Sequence, residues 1–300
     1  MTAVASLLSH RYESGTLGAA VAEAARRLSE VGIDSARLDA RVLAVYVLGV
    51  EPAAVFGHPE MALSEQQQQH LESLVARREI HEPVAHLVGE REFWSIALAV
   101  TRDTLVPRPE TETLIEAVLD RIPERNQPLQ ILDLGTGSGC LLLALLSELP
   151  EATGLGIDAS EPALAVAREN ARCLGFEGRA EFSTGHWGEG LERNRAGAFQ
   201  IIVSNPPYIA AGDIDGLMPE VARFDPRLAL DGGADGLNCY REMIPGIPRL
   251  LTSDGIFAVE IGDGQDRAVS DLVSKVDLQV IEVKEDLSRI GRCVVATCQL

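Results

Sequence analysis

Apolar residues recur along the first 80 positions with the period of a helix. Leu17, Val21, Ala24, Leu28 and Val31 fall three or four residues apart and share one face, and Gly32 ends the run. Asp34 is placed to cap a second helix whose apolar positions are Leu38, Val42, Leu43 and Tyr46, ending at Gly49. Ser64 and Gln67 form an S-x-x-Q capping box ahead of Leu71, Leu74 and Val75. No comparable strand pattern interrupts these segments, so a small helical bundle is expected. Between Pro83 and Pro109 the pattern changes. Phe93–Val100 alternates like one or two strands, which suggests a hairpin, and a helix over Thr111–Ile122 follows, closed by Pro123.

Beyond Gln127 strand and helix periods alternate. The expected strands are Leu129–Asp133, Gly154–Asp158, Ala180–Ser183, Phe199–Ser204, Gly255–Ile261, Leu278–Lys284 and Arg292–Cys298. Helices fit between them at Gly139–Glu148, Glu161–Leu174, Gly236–Leu251 and Gln265–Lys275. Such alternation predicts an α/β domain, a parallel sheet covered on both faces. Too few residues join the last two strands for a crossover helix, so the final strand should run antiparallel. The expected organisation is a helical domain over residues 1–85, a linker or hairpin over 86–108 and an α/β domain over 109–300.

Charge narrows the partners. The 300 residues carry a net charge of −19, with −4 before residue 86 and −15 after it. Neither part offers the basic face that nucleic acid requires, so none is expected as a direct partner. The longest apolar run, Val42–Val50, is half the length needed to span a bilayer, and no membrane partner is expected. Met1–His10 lacks the charged start and apolar core of a secretory signal, which makes the cytoplasm the expected location. The cysteines Cys140, Cys173, Cys239, Cys293 and Cys298 form no CxxC pair and read as small core residues; the histidines are scattered, and no metal is predicted.

Two segments carry chemistry. Ile131–Leu134 is an apolar strand that runs into Gly135-Thr136-Gly137-Ser138-Gly139 and then the apolar helix Leu141–Leu146. Glycines at a strand's carboxyl end let a backbone approach a ligand at the following helix N-terminus. Asp158 ends the next strand, nineteen residues beyond Gly139, where an acid can accept hydrogen bonds from a ribose diol. Together they indicate an adenosine-containing cofactor without saying which. A dinucleotide site reads G-x-G-x-x-G, and the third glycine here comes one residue early. The segment D-L-G-T-G-S-G resembles the first motif of S-adenosylmethionine-dependent methyltransferases more closely.

The second segment is Asn205-Pro206-Pro207-Tyr208, at the end of the apolar strand Ile201–Ser204. Two prolines stiffen the loop and donate no hydrogen bonds, so its carbonyls remain acceptors. A planar nitrogen attacks poorly because its lone pair is delocalised, and it needs acceptors that hold its N–H groups while the lone pair faces the electrophile. The Asn205 side-chain oxygen can take one N–H and the Pro206 carbonyl the other, with Tyr208 stacked on the planar group. Asn205, Pro206 and Tyr208 are the candidate catalytic residues, and Asn205–Tyr208, with Pro207, the candidate substrate clamp. An alkylated nitrogen loses its proton readily, so no strong base is required.

Further segments, Pro83–Gly89, Arg91–Trp94, Leu105–Glu112 and Leu228–Tyr240, complete a resemblance covering nearly the whole chain. The sequence resembles the bacterial release-factor glutamine methyltransferases, which methylate the side-chain amide of the glutamine in a Gly-Gly-Gln motif. The resemblance implies a helical N-terminal domain that recognises a release factor and a seven-stranded Rossmann-like catalytic domain. It implies S-adenosylmethionine as cofactor, held by Gly135, Thr136, Gly137, Ser138, Gly139, Asp158 and Asn205, with Trp187 flanking the adenine. Arg108 and Glu110 fall on the pocket wall. The family's acid before that aromatic is replaced here by His186.

Three other readings compete. An adenine-N6 nucleic-acid methyltransferase suits the same tetrapeptide but not the acidic balance. A dinucleotide oxidoreductase fits neither the glycine spacing nor the Asn-Pro-Pro-Tyr loop. A non-catalytic adaptor would have no use for Asn205 and the glycines.

Overall fold

The computed structural model describes residues 15–189, 191 and 195–298. The segment Met1–His10, on which the absence of a secretory signal was read, lies outside them. Contacts divide the chain into two compact units, Met1–Gly89 and Glu90–Leu300.

Helices of the first unit span Leu17–Glu30, Ala36–Leu48, Pro52–Gly57, Glu65–Glu79 and Val84–Val88. Ser64 and Gln67 close a reciprocal capping box, and Leu71, Leu74 and Val75 are buried behind it. The second helix departs from expectation. Its N-cap is Ser35 rather than Asp34, and Leu38 and Tyr46 are exposed. The buried face is instead Ala36, Asp39, Ala40, Leu43 and Ala44, because small residues let neighbouring helices approach and Asp39 is neutralised by the buried Arg78 at 2.8 Å. An apolar-period reading finds only Leu43 of this face, because the other members are alanines and one paired acid.

The second unit begins with the hairpin β1 (Glu90–Phe93) and β2 (Ile96–Ala99). Trp94 and Ser95 both take positive φ, as a two-residue hairpin turn requires. Phe93 and Leu98 of the hairpin are buried in the core of this unit. The helix expected over Thr111–Ile122 is the α-helix Glu112–Leu119, entered through a 3-10 turn at Pro109–Thr111.

Seven strands follow: β3 (Gln130–Leu134), β4 (Thr153–Asp158), β5 (Ala180–Thr184), β6 (Phe199–Ser204), β7 (Leu251–Glu260), β8 (Leu278–Glu285) and β9 (Gly291–Cys298). They lie in the order β5-β4-β3-β6-β7-β9-β8, parallel from β5 to β7, with β9 antiparallel to both its neighbours. Alternate residues serve opposite faces. Ile131, Ile201, Val203 and Ala258 enter one core, while Leu132, Ile202, Phe257 and Val259 enter the other. The helix expected over Gly236–Leu251 is broken into Asn238–Met243, Ile244–Gly246 and Ile247–Leu250, since Pro245 and Pro248 cannot donate to a continuous ladder. Of the cysteines, Cys239 and Cys293 are buried, but Cys173 is exposed rather than in the core.

The strand order reverses between β3 and β6. A crevice opens at such a reversal beyond the carboxyl ends of the strands. Leu134 is paired with Ser204 and with Ile157, so the segments after β3, β4 and β6 emerge side by side.

Candidate active site

The Ser204 hydroxyl donates to the Leu134 carbonyl at 2.6 Å, clamping the last residues of β3 and β6 together. Gly135 and Asn205 follow directly. Gly135, Gly137 and Gly139 all take positive φ, and a Cβ on Gly135 would come within 3.4 Å of the Trp187 ring. The turn holds itself closed. Gly135 and Thr136 amides donate to the Ile157 carbonyl at 2.8 and 2.9 Å, Gly139 donates to Thr136, and Gly137 donates to Asp158 Oδ2 at 2.8 Å. These four amides are therefore not available to cradle a pyrophosphate. Asp158 Oδ1 takes the Ser160 amide at 2.8 Å, so the acid also anchors the start of the next helix.

A cavity of about 210 Å³ lies over this turn. Gly135, Thr136, Gly137, Ser138, Asp158, Trp187, Asn205 and Pro207 contribute to its wall. Gly139 does not; its contribution is tight packing, since a Cβ there would meet Leu143 and Ala167 at 3.1 and 3.3 Å. A second cavity, about 310 Å³, is lined by Arg108, Glu110, Asn205, Pro206, Tyr208 and Met218 among others. Asn205 is common to both.

Several groups that matter were not found by sequence reasoning. Trp187 Nε1 donates to Glu242 Oε2 at 3.1 Å, and His186 Nε2 lies 3.7 Å from the same carboxylate. A carboxylate is thus placed beside Trp187 from the Asn238–Met243 helix, which no local motif marks. Arg108, on the wall of both cavities, is held by the buried Asp225 at 2.6 Å. The Tyr208 hydroxyl donates to Glu260 Oε1 at 3.1 Å, and Asn205 Nδ2 donates to Thr111 Oγ1 at 3.2 Å. Burial raises the Glu260 carboxyl to about 7, against the hydroxyls of Thr111 and Tyr208 and the nearby Arg292, which favour its charged form.

Asp133, buried below the turn's first residue in sequence, is likewise pushed by burial to about 7 despite a 2.6 Å hydrogen bond from Thr136. A carboxyl whose folded value lies above its unfolded one binds more protons in the folded state. Its contribution therefore erodes stability as pH climbs from about 4 to about 7. Asp133→Asn removes that cost while keeping the shape. Thermal midpoints across this window should fall less steeply with pH in the variant than in the wild type, and parallel curves would refute the shift.

The loop bearing Asn205–Tyr208 is fixed from behind. Gln265 Nε2 donates to the Tyr208 carbonyl at 3.0 Å, and Gly236 sits against the same carbonyl with φ +75°. A Cβ at Gly236 would stand 2.4 Å from that oxygen. Gly236→Ala should displace the loop and lower turnover about 10–100-fold, since backbone strain of this kind costs a few kcal/mol, although residue 236 carries no reactive group. Turnover within threefold of wild type, measured on folded protein, would contradict it.

Residues 19–89 match the PrmC N-terminal domain family, and residues 126–297 match a methyltransferase domain family. A release factor glutamine methyltransferase of Rhodospirillum rubrum is 50% identical over 280 residues, covering 93% of this chain and 84% of that protein. The chain belongs to the release factor glutamine methyltransferases. The Caulobacter vibrioides protein of the same description is 46% identical, covering 93% of this chain and 95% of that protein. A solved release-factor-specific protein-(glutamine-N5) methyltransferase from Alicyclobacillus acidocaldarius is 26% identical, covers 68% of this chain and 100% of that chain, and superposes with a TM-score of 0.42.

Enzymes of this family transfer a methyl group from S-adenosylmethionine, the cofactor of this chain. The cavity fits that group. Four of the turn's amides are already paired, and Asp103, Asp158, Asp231 and Glu242 contribute to the wall, which suits a cationic ligand better than a pyrophosphate. Among the described residues, no three His, Cys, Asp or Glu side chains gather to hold a metal ion, and no helix is long and apolar enough to cross a membrane.

Proposed function

We propose that this protein methylates the side-chain nitrogen of the glutamine in the Gly-Gly-Gln motif of peptide chain release factors, by direct in-line transfer. The observation that carries the reading is Asn205, which forms part of the wall of two adjoining cavities. The first holds the cofactor along Gly135–Ser138, Asp158 and Trp187, with Asp158 toward the ribose and Trp187 against the adenine. The second takes the glutamine side chain.

S-adenosylmethionine supplies an electrophilic methyl on a sulfonium. Asn205 Oδ1 accepts one amide N–H and the Pro206 carbonyl the other, which turns the nitrogen's lone pair toward the first cavity. Tyr208 stacks on the amide plane, and Pro207 keeps the loop stiff. S-adenosylmethionine held in the first cavity would supply the methyl group to this aimed nitrogen, and the methylated nitrogen would lose its extra proton to water. No His or Cys base is needed.

The helical unit, matched by the PrmC N-terminal family over residues 19–89, recognises the release factor body, and the reaction takes place in the cytoplasm. The net charge of −19 supports a protein rather than a nucleic acid as acceptor. An acceptor competition decides between them. With labelled S-adenosylmethionine, label should enter a purified release factor and not duplex DNA or RNA offered alongside; label in the nucleic acid alone would overturn the reading.

A further inference from the structure

The acids on the first cavity's wall suit a sulfonium but not the whole cofactor. The methionine half of S-adenosylmethionine ends in an α-amino acid, and carboxylates such as Asp158 and Glu242 repel the carboxylate of that end. Among the described residues of the wall, Arg108 is the one arginine or lysine. Its place fits the methionine half. Asp158 and Trp187, the proposed neighbours of ribose and adenine, contribute to the first cavity and not the second, whereas Arg108 and Asn205 contribute to both. Transfer requires the sulfonium methyl to face Asn205, so the amino acid branching from the same sulfur starts at the seam where Arg108 stands. The guanidinium also has donors to spare. Nη2 donates to Asp225 Oδ2 at 2.6 Å, and among the described residues Arg108 makes no other hydrogen bond, which leaves Nε and Nη1 unpaired. The Asp225 side chain is 0% exposed and contributes to neither wall, while that of Arg108 is 31% exposed.

We infer that Arg108 anchors the carboxylate of the cofactor's methionine half, and that Asp225 is a positioning residue that holds the guanidinium at the seam between the two cavities. This rests on the reading of the first cavity as the cofactor site. A guanidinium stays charged at any working pH and forms charge-assisted hydrogen bonds with a carboxylate. The acids of the wall are then left to the sulfonium and the α-amino group. A long arginine side chain has many rotamers, and the bond to a buried carboxylate removes much of that freedom before the ligand arrives, which lowers the cost of binding. Holding the base at Trp187 and the carboxylate at Arg108 fixes the sulfur between them, and with it the line along which the methyl faces Asn205.

Calorimetry with two ligands isolates the carboxylate. S-adenosylhomocysteine carries it; S-adenosyl-3-thiopropylamine has the same adenosine, sulfur and amino group without it. Wild type should prefer the first by about 10–100-fold, the range for hydrogen bonds to a charged group. In Arg108→Met the preference should shrink to within about threefold, through lost affinity for S-adenosylhomocysteine alone. Arg108→Met combined with Asp225→Asn, which leaves no unpaired buried charge, should give the same result. Asp225→Asn by itself should reduce the preference in the same direction, and Arg108→Lys should keep part of it. A wild type without the preference, an undiminished preference in Arg108→Met, or equal weakening of both ligands would overturn the anchor. Should Asp158→Ala and Trp187→Ala both bind S-adenosylhomocysteine as tightly as wild type, the failure would instead lie in the placement of the cofactor on which the anchor rests.

Discussion

Asn205→Ala is expected to reduce methyl transfer by about 10²–10³-fold while cofactor affinity falls only a fewfold. The argument is differential. Asn205 contributes one of many groups in the cofactor cavity, so its truncation removes little ground-state contact there. Toward the second cavity it is the acceptor that holds a planar nitrogen with its lone pair aimed, an interaction that matters most as that nitrogen gains positive character in the transition state. The loss should therefore appear mainly in kcat. Single-turnover kinetics with a release factor, together with calorimetry for S-adenosylhomocysteine, would measure both parts. Turnover close to wild type would remove the clamp from the mechanism.

Asp158→Ala should show the opposite split, weakening the cofactor by about 10–100-fold with a smaller effect on the chemical step at saturation. Two losses combine in this residue. The proposed ribose acceptor disappears, and so do the bonds its oxygens make to the Gly137 and Ser160 amides at 2.8 Å, which hold the glycine turn against the next helix. Asp158→Asn keeps one acceptor oxygen and should fall between the two. Equal cofactor affinity in wild type and Asp158→Ala, again by calorimetry, would show that the acid does not face the ribose.

The two predictions draw on features of different visibility. The glycine turn, Asp158 and Asn205–Tyr208 are contiguous or regularly spaced segments at strand ends, and the alternation of strand and helix periods was enough to put them at one edge of a parallel sheet. The pairing of Leu134 with Ser204 then brings the turn and the tetrapeptide together. Thr111, Glu260 and Glu242 could not be read in this way. Each reaches its partner, Asn205, Tyr208 or Trp187, only through tertiary structure, and a lone buried Glu at a strand end looks like any other strand terminus in one sequence. The Asp39–Arg78 pair escaped notice for a related reason, since a buried charge is intelligible only once its partner, 39 residues away, is seen beside it. Helix breaks at Pro245 and Pro248 were legible in principle, but the apolar period across Gly236–Leu251 concealed them.

The central claim is that one glutamine nitrogen of a release factor is the methyl acceptor. Tandem mass spectrometry of a purified release factor incubated with this enzyme and S-adenosylmethionine tests it directly. The account predicts a single added methyl on the glutamine of the Gly-Gly-Gln peptide, absent when Asn205→Ala replaces the wild type. An unmodified Gly-Gly-Gln peptide, or a methyl on another residue, from an enzyme shown to bind the cofactor would contradict it.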